Sequence, residues 1–176
     1  MPLGRSLIKS NLLKWIKSFL SDRTQFVNVN GACSEPNKVT SGVPQASVLG
    51  PTLFVYYIND LPLNIDCKVK IFADDTKAYN VIDTSEQSRL LLQRNIDTLV
   101  EWSETWMMKF NSQKCKILHI GKNNPQHKYY MNDGDGAREL DITIAEKDLG
   151  IIIDPNLSFD THINDVVKNV IDCLKC

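Results

Sequence analysis

The stretch VKIFADDTKAY, from Val69 to Tyr79, decides how this chain is read. Ahead of its centre, Val69, Ile71 and Ala73 alternate with Lys68, Lys70 and Phe72, the period-two pattern of a half-buried strand. Beyond it, TKAYNVI reads as a second strand, so Asp74 and Asp75 fall at the tip of a β-hairpin. Aspartate forms turns well because its side chain bonds to nearby backbone. That accounts for one of the two more easily than for both, since the favoured two-residue hairpin loops carry Gly or Asn. Two carboxylates about 4 Å apart repel by about 1 kcal/mol in water and about 4 kcal/mol at an effective dielectric near 20. A bound divalent cation removes that cost. The residues alone leave a plain turn and a metal site both open.

The 176 residues suffice for one ordinary domain or a little more, and for a sizeable core. With 43% hydrophobic and 23% charged residues the composition is globular. No apolar run approaches the roughly 20 residues of a bilayer span. Lysines interrupt the apolar residues of MPLGRSLIKSNLLKW, which excludes a signal peptide and implies an intracellular protein, nuclear or cytoplasmic. The five cysteines (Cys33, Cys67, Cys115, Cys173 and Cys176) are odd in number and lack framework spacing, as expected of reduced thiols. Cys173 and Cys176 form a lone CxxC, half a zinc site at most, and read as a helix tail.

The net charge is −1, but the charges are unevenly placed. Arg5, Lys9, Lys14, Lys17 and Arg23 stand against Asp22 alone in residues 1–30, and Lys109 to Lys128 holds five lysines and no acid. Asp133 to Asp165 holds nine acids against Arg138 and Lys147. A basic groove and ordinary solvated faces both fit this pattern.

Apolar residues at helical spacing over 6–21 predict a first helix, with QFVNVNG and Lys38-Val39-Thr40 forming a hairpin whose turn residues come from ACSEPN. Gly42 and Pro44 bar a regular helix, and Gly50-Pro51 starts one that Pro62 stops. Thr84 and Gln87 fit a capping box for a long helix with Leu92, Ile96, Leu99, Trp102 and Trp106 on its buried face. CKILHIG reads as a strand, NNPQHKYYMNDGDG as a polar connection, and LDITIAEKDLGIIID as two short strands around a turn. A last helix follows from about Phe159. Helices and strands mix without strict alternation, so the class is α+β.

Four blocks in order, SGVPQASVLGPTLFVYYINDLP, FADDTKAY, WMMKFNSQKCKILHIG and KDLGIIIDPNLSFDTHI, resemble the reverse transcriptases of non-LTR retrotransposons, most of all the jockey and chicken-repeat type. The resemblance implies a right-hand polymerase: a palm of antiparallel sheet backed by helices over residues 1–155, incomplete, and the start of a helical thumb over 156–176. Asp74 and Asp75 match the catalytic hairpin, with Asp74 the principal metal ligand. Two Mg²⁺ ions, or Mn²⁺ in their place, are the implied cofactors of deoxynucleotidyl transfer to a primer 3′-hydroxyl. Gly42, Pro44, Gln45, Ala46 and Ser47 match the block lying against template and incoming nucleotide. Asn111 and Lys114 match a further block, with Lys114 a candidate general acid for pyrophosphate. Leu149 and Gly150 match the primer-grip turn. The implied partners are an RNA template, a DNA primer, a deoxynucleoside triphosphate, and upstream fingers, palm and endonuclease segments.

Three departures qualify that resemblance. Ala46 stands where the family has Gly, so a methyl group crowds the site and restricts the backbone. Cys115 stands where Thr is usual. No match to the family's upstream palm aspartate occurs in MPLGRSLIKSNLLK, so the chain by itself is expected to be inactive, with exposed sheet edges beside the Asp74 hairpin. The competing expectation is a non-catalytic transposon remnant, at most a weak binder of single-stranded nucleic acid.

Overall fold

The computed structural model describes residues 10–63, 65–134 and 136–174; Arg5, Lys9 and Cys176 lie outside them. The chain divides into two compact units, Met1–Asp60 and Leu61–Cys176. Four helices accompany small two-stranded sheets among the described residues, so the chain is mixed α and β.

In the first unit, α1 (Ser10–Leu20) buries Ile16, while Trp15 stacks on Phe19 with ring centroids 5.9 Å apart. A nested hairpin follows. Its outer pair joins β1 (Thr24–Gln25) to β4 (Asn37–Lys38), and its inner pair joins β2 (Asn28–Val29) to β3 (Ala32–Cys33). The tip is Asn30-Gly31, not ACSEPN, because both tip residues take positive φ, 50° and 86°, which Asn and Gly tolerate. The Asn28 carboxamide oxygen also accepts from the Gly31 N–H at 3.2 Å. Helix α2 (Leu49–Ile58) carries Pro51 in its first turn, where the missing N–H has no helical partner to lose.

In the second unit, β5 (Lys68–Phe72) and β6 (Asp75–Tyr79) pair antiparallel from Lys68↔Tyr79 to Phe72↔Asp75. Helix α3 (Glu86–Thr105) starts one residue later than the Thr84 cap predicts. Ser85 is the N-cap, its hydroxyl accepting from Ser88 N at 3.2 Å. Asp83 accepts from the Ser85 backbone and hydroxyl, and those bonds lower its carboxyl to about 2. The helix ends in a Schellman motif, with Met108 N–H bonding Ser103 O at 2.8 Å, Met107 N–H bonding Glu104 O at 3.3 Å, and Met107 itself at φ 54°.

The strand β7 (Lys116–Leu118) pairs in parallel with β10 (Asp141–Thr143), the intervening chain crossing back between them. That stretch is more than a polar connection: it contains a hairpin of β8 (Tyr130–Asn132) and β9 (Ala137–Glu139). Strands of three residues leave too short an alternation to stand out beside NDGDG. The core lies here. Ile96 and Val100 of α3 pack with Tyr129, Met131 and Leu140, flanked by Leu92, Phe110, Cys115 and Ile117. Gln93 fastens the helix to the strand, its carboxamide donating to Tyr130 O at 2.8 Å and accepting from Tyr130 N at 2.9 Å. Trp102 and Trp106 are half-buried. The expected pair around Leu149-Gly150 is present as β11 (Glu146–Asp148) and β12 (Ile151–Ile153), and α4 (Asp160–Leu174) follows.

No continuous sheet forms among the described residues. Among the described residues β5 and β6 have only each other as ladder partners.

Candidate functional site

The tip of the β5–β6 hairpin is two residues long. Ala73 takes φ 51°, Asp74 occupies the turn, and Asp75 opens β6 opposite Phe72. Val69 and Ile71 turn inward as the alternation requires, while Asp74 and Asp75 are exposed. Neither carboxylate makes a hydrogen bond or ion pair among the described residues, although Lys77 shares the Asp75 face of the strand. Lys77 is engaged elsewhere, by Asp148.

Two adjacent, unpaired carboxylates are hard oxygen donors of the kind Mg²⁺ takes from a protein when phosphate oxygens supply the rest. To that extent the residues fit the metal, which reverse transcriptases generally require. No cluster of three or more His, Cys, Asp or Glu side chains able to hold an ion occurs among the described residues.

The loop before α2 is shaped by local bonds. The Ser47 hydroxyl donates to Pro44 O at 2.7 Å and accepts from Gly50 N at 3.0 Å, so it is committed to closing the loop. A Cβ on Gly50 would stand 2.6 Å from Pro44 O, so glycine is required beneath the turn. Arg23 holds the loop's other end, its guanidinium donating to Gly42 O at 2.7 Å and to Ser41 O at 3.3 Å. Neither Gly50 nor Arg23 stood out as a site-building residue in the sequence. The clash at Gly50 and the eighteen- and nineteen-residue reach of Arg23 emerge only in three dimensions. Gly42 takes φ 74° and Ala46 φ 55°. The left-handed backbone at Ala46 gives a physical reason for glycine at this position, apart from any crowding of a ligand. Gln45 is exposed and Pro44 half-buried.

Lys114 lies exposed in the turn entering β7, where its N–H donates to Asn111 O at 3.0 Å. The Cys115 thiol packs against the α3 core, and burial raises its pKa. The departure from Thr is thus absorbed on an apolar surface. Leu149 and Gly150 take φ 47° and 91° at the β11–β12 tip, with nothing near a Cβ placed on Gly150.

The charge asymmetry partly cancels in the folded chain. Lys116 pairs with Glu146 at 3.4 Å and Lys128 with Glu139 at 2.9 Å, so acids of the acidic stretch occupy two of the five lysines. Lys14, Lys17, Lys109, Lys114 and Lys122 remain exposed. No helix among the described residues is long and apolar enough to cross a membrane.

Known proteins share sequence with this chain over most of its length. Residues 3–148 match the family described as reverse transcriptase (RNA-dependent DNA polymerase). The chain is 30% identical over 171 residues to the "RNA-directed DNA polymerase from mobile element jockey" of Drosophila melanogaster, covering 93% of this chain and 18% of that protein. It is 29% identical over 179 residues to the Drosophila funebris protein of the same name, with the same coverage. To the "Probable RNA-directed DNA polymerase from transposon BS" of Drosophila melanogaster it is 30% identical over 170 residues, 87% of this chain and again 18% of the relative. The chain therefore spans under a fifth of these relatives' length. No solved structure matches it significantly. With the family match extending over most of its length, the chain belongs to the reverse transcriptase family, as a reverse transcriptase domain of the non-LTR retrotransposon kind.

Proposed function

We propose that this chain supplies most of the palm and the start of the thumb to an RNA-directed DNA polymerase. In this reading residues 1–155 belong to the palm, 156–176 begin the thumb, and the complete protein extends a DNA primer on an RNA template. The observation that carries it is the β5–β6 hairpin end, where Asp74 in the turn and Asp75 at the start of β6 stand exposed with neither carboxylate in an ion pair among the described residues. Asp74 and Asp75 would hold the divalent ions, which when bound supply charge neutralisation to the attacking and leaving oxygens. The loop of Gly42, Pro44, Gln45, Ala46 and Ser47 lies against template and nucleotide, Gln45 offering a donor and an acceptor and Ser47 keeping the loop closed. Leu149 and Gly150 receive the primer strand, with open space at Gly150 for its backbone. Lys114, exposed, delivers a proton to departing pyrophosphate. A third carboxylate, which the family resemblance puts upstream of residues 1–20, completes the ion site.

Iron-directed cleavage tests this without requiring turnover. Fe²⁺ and ascorbate, added to the chain with an RNA–DNA primer–template and a deoxynucleoside triphosphate, should cut the backbone near residues 73–76. Excess Mg²⁺ or Asp74→Asn should suppress the cut. Cleavage that is diffuse, or indifferent to Asp74→Asn, refutes the assignment. Primer extension by the chain alone should not exceed a heat-inactivated control.

The second reading, a remnant that binds single strands without extending them, draws on the missing three-acid cluster among the described residues and on Ala46 at φ 55°. Salt-sensitive binding to single strands without ion-directed cleavage at the hairpin would favour it.

A further inference from the structure

The ladders leave one relation in the second unit unspecified. The β5–β6 and β11–β12 hairpins belong to separate two-stranded sheets, and no backbone pairing joins them. Their ends nonetheless carry Asp74-Asp75 and Leu149-Gly150, which on the polymerase reading meet a primer terminus together. A side-chain bridge links them. Lys77, two residues into β6 from Asp75, donates through Nζ to the Asp148 carboxylate, which ends β11 immediately before the Leu149-Gly150 turn. The partners are 71 residues apart in sequence and about one-third exposed, at 37% and 26%.

Lys77 needs an acid for a reason internal to its hairpin. It stands directly opposite Lys70 in the β5–β6 register, and like charges facing each other across a ladder destabilise it. Asp75, on the same face as Lys77, is one candidate counter-charge. A bond to Asp75 would cost the hairpin a free carboxylate, whereas Asp148 answers the charge from another element. The ion pair therefore does two things at once. It relieves Lys70 and Lys77, and it fixes the start of the Leu149-Gly150 turn to the strand that begins with Asp75.

We infer that Lys77 and Asp148 are positioning residues, an inter-hairpin clamp that sets the primer-grip turn against the Asp74-Asp75 tip. Its structural part stands on the contact, and its purpose rests on the polymerase reading. Neither residue touches the reacting atoms.

Hydrogen exchange on the full chain tests the clamp. Asp148→Asn and Lys77→Gln should each speed amide exchange about fivefold in both segments, residues 69–79 and 146–153, as expected for loss of a partly exposed ion pair. Lys77→Arg, which keeps the charge, should retain the original rates. Exchange around Ile96–Val100 should stay slow throughout. A substitution that loosens only its own hairpin, or loosens the core equally, overturns the clamp.

A primer with a photoreactive 3′-terminal nucleotide, annealed to an RNA template, tests its purpose. The unsubstituted chain and Lys77→Arg should cross-link at residues 146–153, and Asp148→Asn should lose that site while binding the same total primer. Unchanged cross-linking in Asp148→Asn overturns the positioning role. If the unsubstituted chain cross-links nowhere, the polymerase reading falls, and the exchange rates still decide whether the clamp exists.

Discussion

In the α3 core, Ile96 and Leu99 are 5% exposed and Tyr129 is 2% exposed, whereas Phe72 at the β5–β6 tip is 60% exposed and Tyr79 at its base 46%. The first region is held by close packing among side chains from α3, β8 and the chain before β10. The second is held by one antiparallel ladder and a long-range ion pair. Stability is thus concentrated where the family's chemistry is absent, and the residues proposed for chemistry sit where stability is low.

The largest difference is expected from cutting into each region in turn. Ile96→Ala should cost about 2–5 kcal/mol in denaturant unfolding, while Phe72→Ala should stay within about 0.5 kcal/mol. Equal costs would show that the hairpin is as well packed as the core. Next comes the loop before α2, whose turn leaves no room at Gly50. Gly50→Ala should destabilise the first unit by about 1–3 kcal/mol through overpacking against Pro44 O. A neutral result in thermal unfolding would mean that the loop opens freely.

Acidification sharpens the contrast from within the second unit. Burial depresses the pKa of His119 below its ordinary 6.5, and its Nε2 has no hydrogen-bond partner among the described residues. The unfolded chain then binds a proton that the folded chain resists. The contribution of neutral His119 is fully present above 6.5 and is lost as pH falls below it. Unfolding free energies measured between pH 7 and 5 should fall, with a shallower slope in His119→Gln.

Smaller still is Ala46→Gly. Removing a Cβ from φ 55° relieves about 1 kcal/mol of left-handed strain, offset in part by the freer unfolded chain. A net gain of a few tenths of a kcal/mol is expected, and a loss would place Ala46 in an apolar contact that outweighs the strain. The least effect belongs to Asp74→Asn, which should leave the unfolding midpoint within about 0.5 kcal/mol of the original. A large change would make Asp74 a structural turn residue.

Sequence periodicity revealed the parts held by repeating patterns. α1, α2, α3 and the Asp74 hairpin follow from apolar spacing, and the site blocks from residue identity and order. The β8–β9 hairpin escaped because its strands are three residues long and its polar turn dominates the stretch, even though Tyr129 beside it is among the most buried side chains. The Ser85 cap was missed by one residue because DTSEQS offers several hydroxyl and carboxylate caps in a row. Arg23 holding Gly42 and Lys77 holding Asp148 could not be read at all. Each joins residues whose separation carries no period, so only the folded backbone brings them together.

Gln93 has one more consequence. By offering Tyr130 both an acceptor and a donor, its carboxamide stands in for the peptide group of a neighbouring strand. The outer rim of β8 is thereby occupied at Tyr130 by a side chain anchored in α3, and a stray strand cannot zip onto it there. Among the described residues no comparable side-chain stopper covers the β5–β6 rims, and self-association of this chain should begin there.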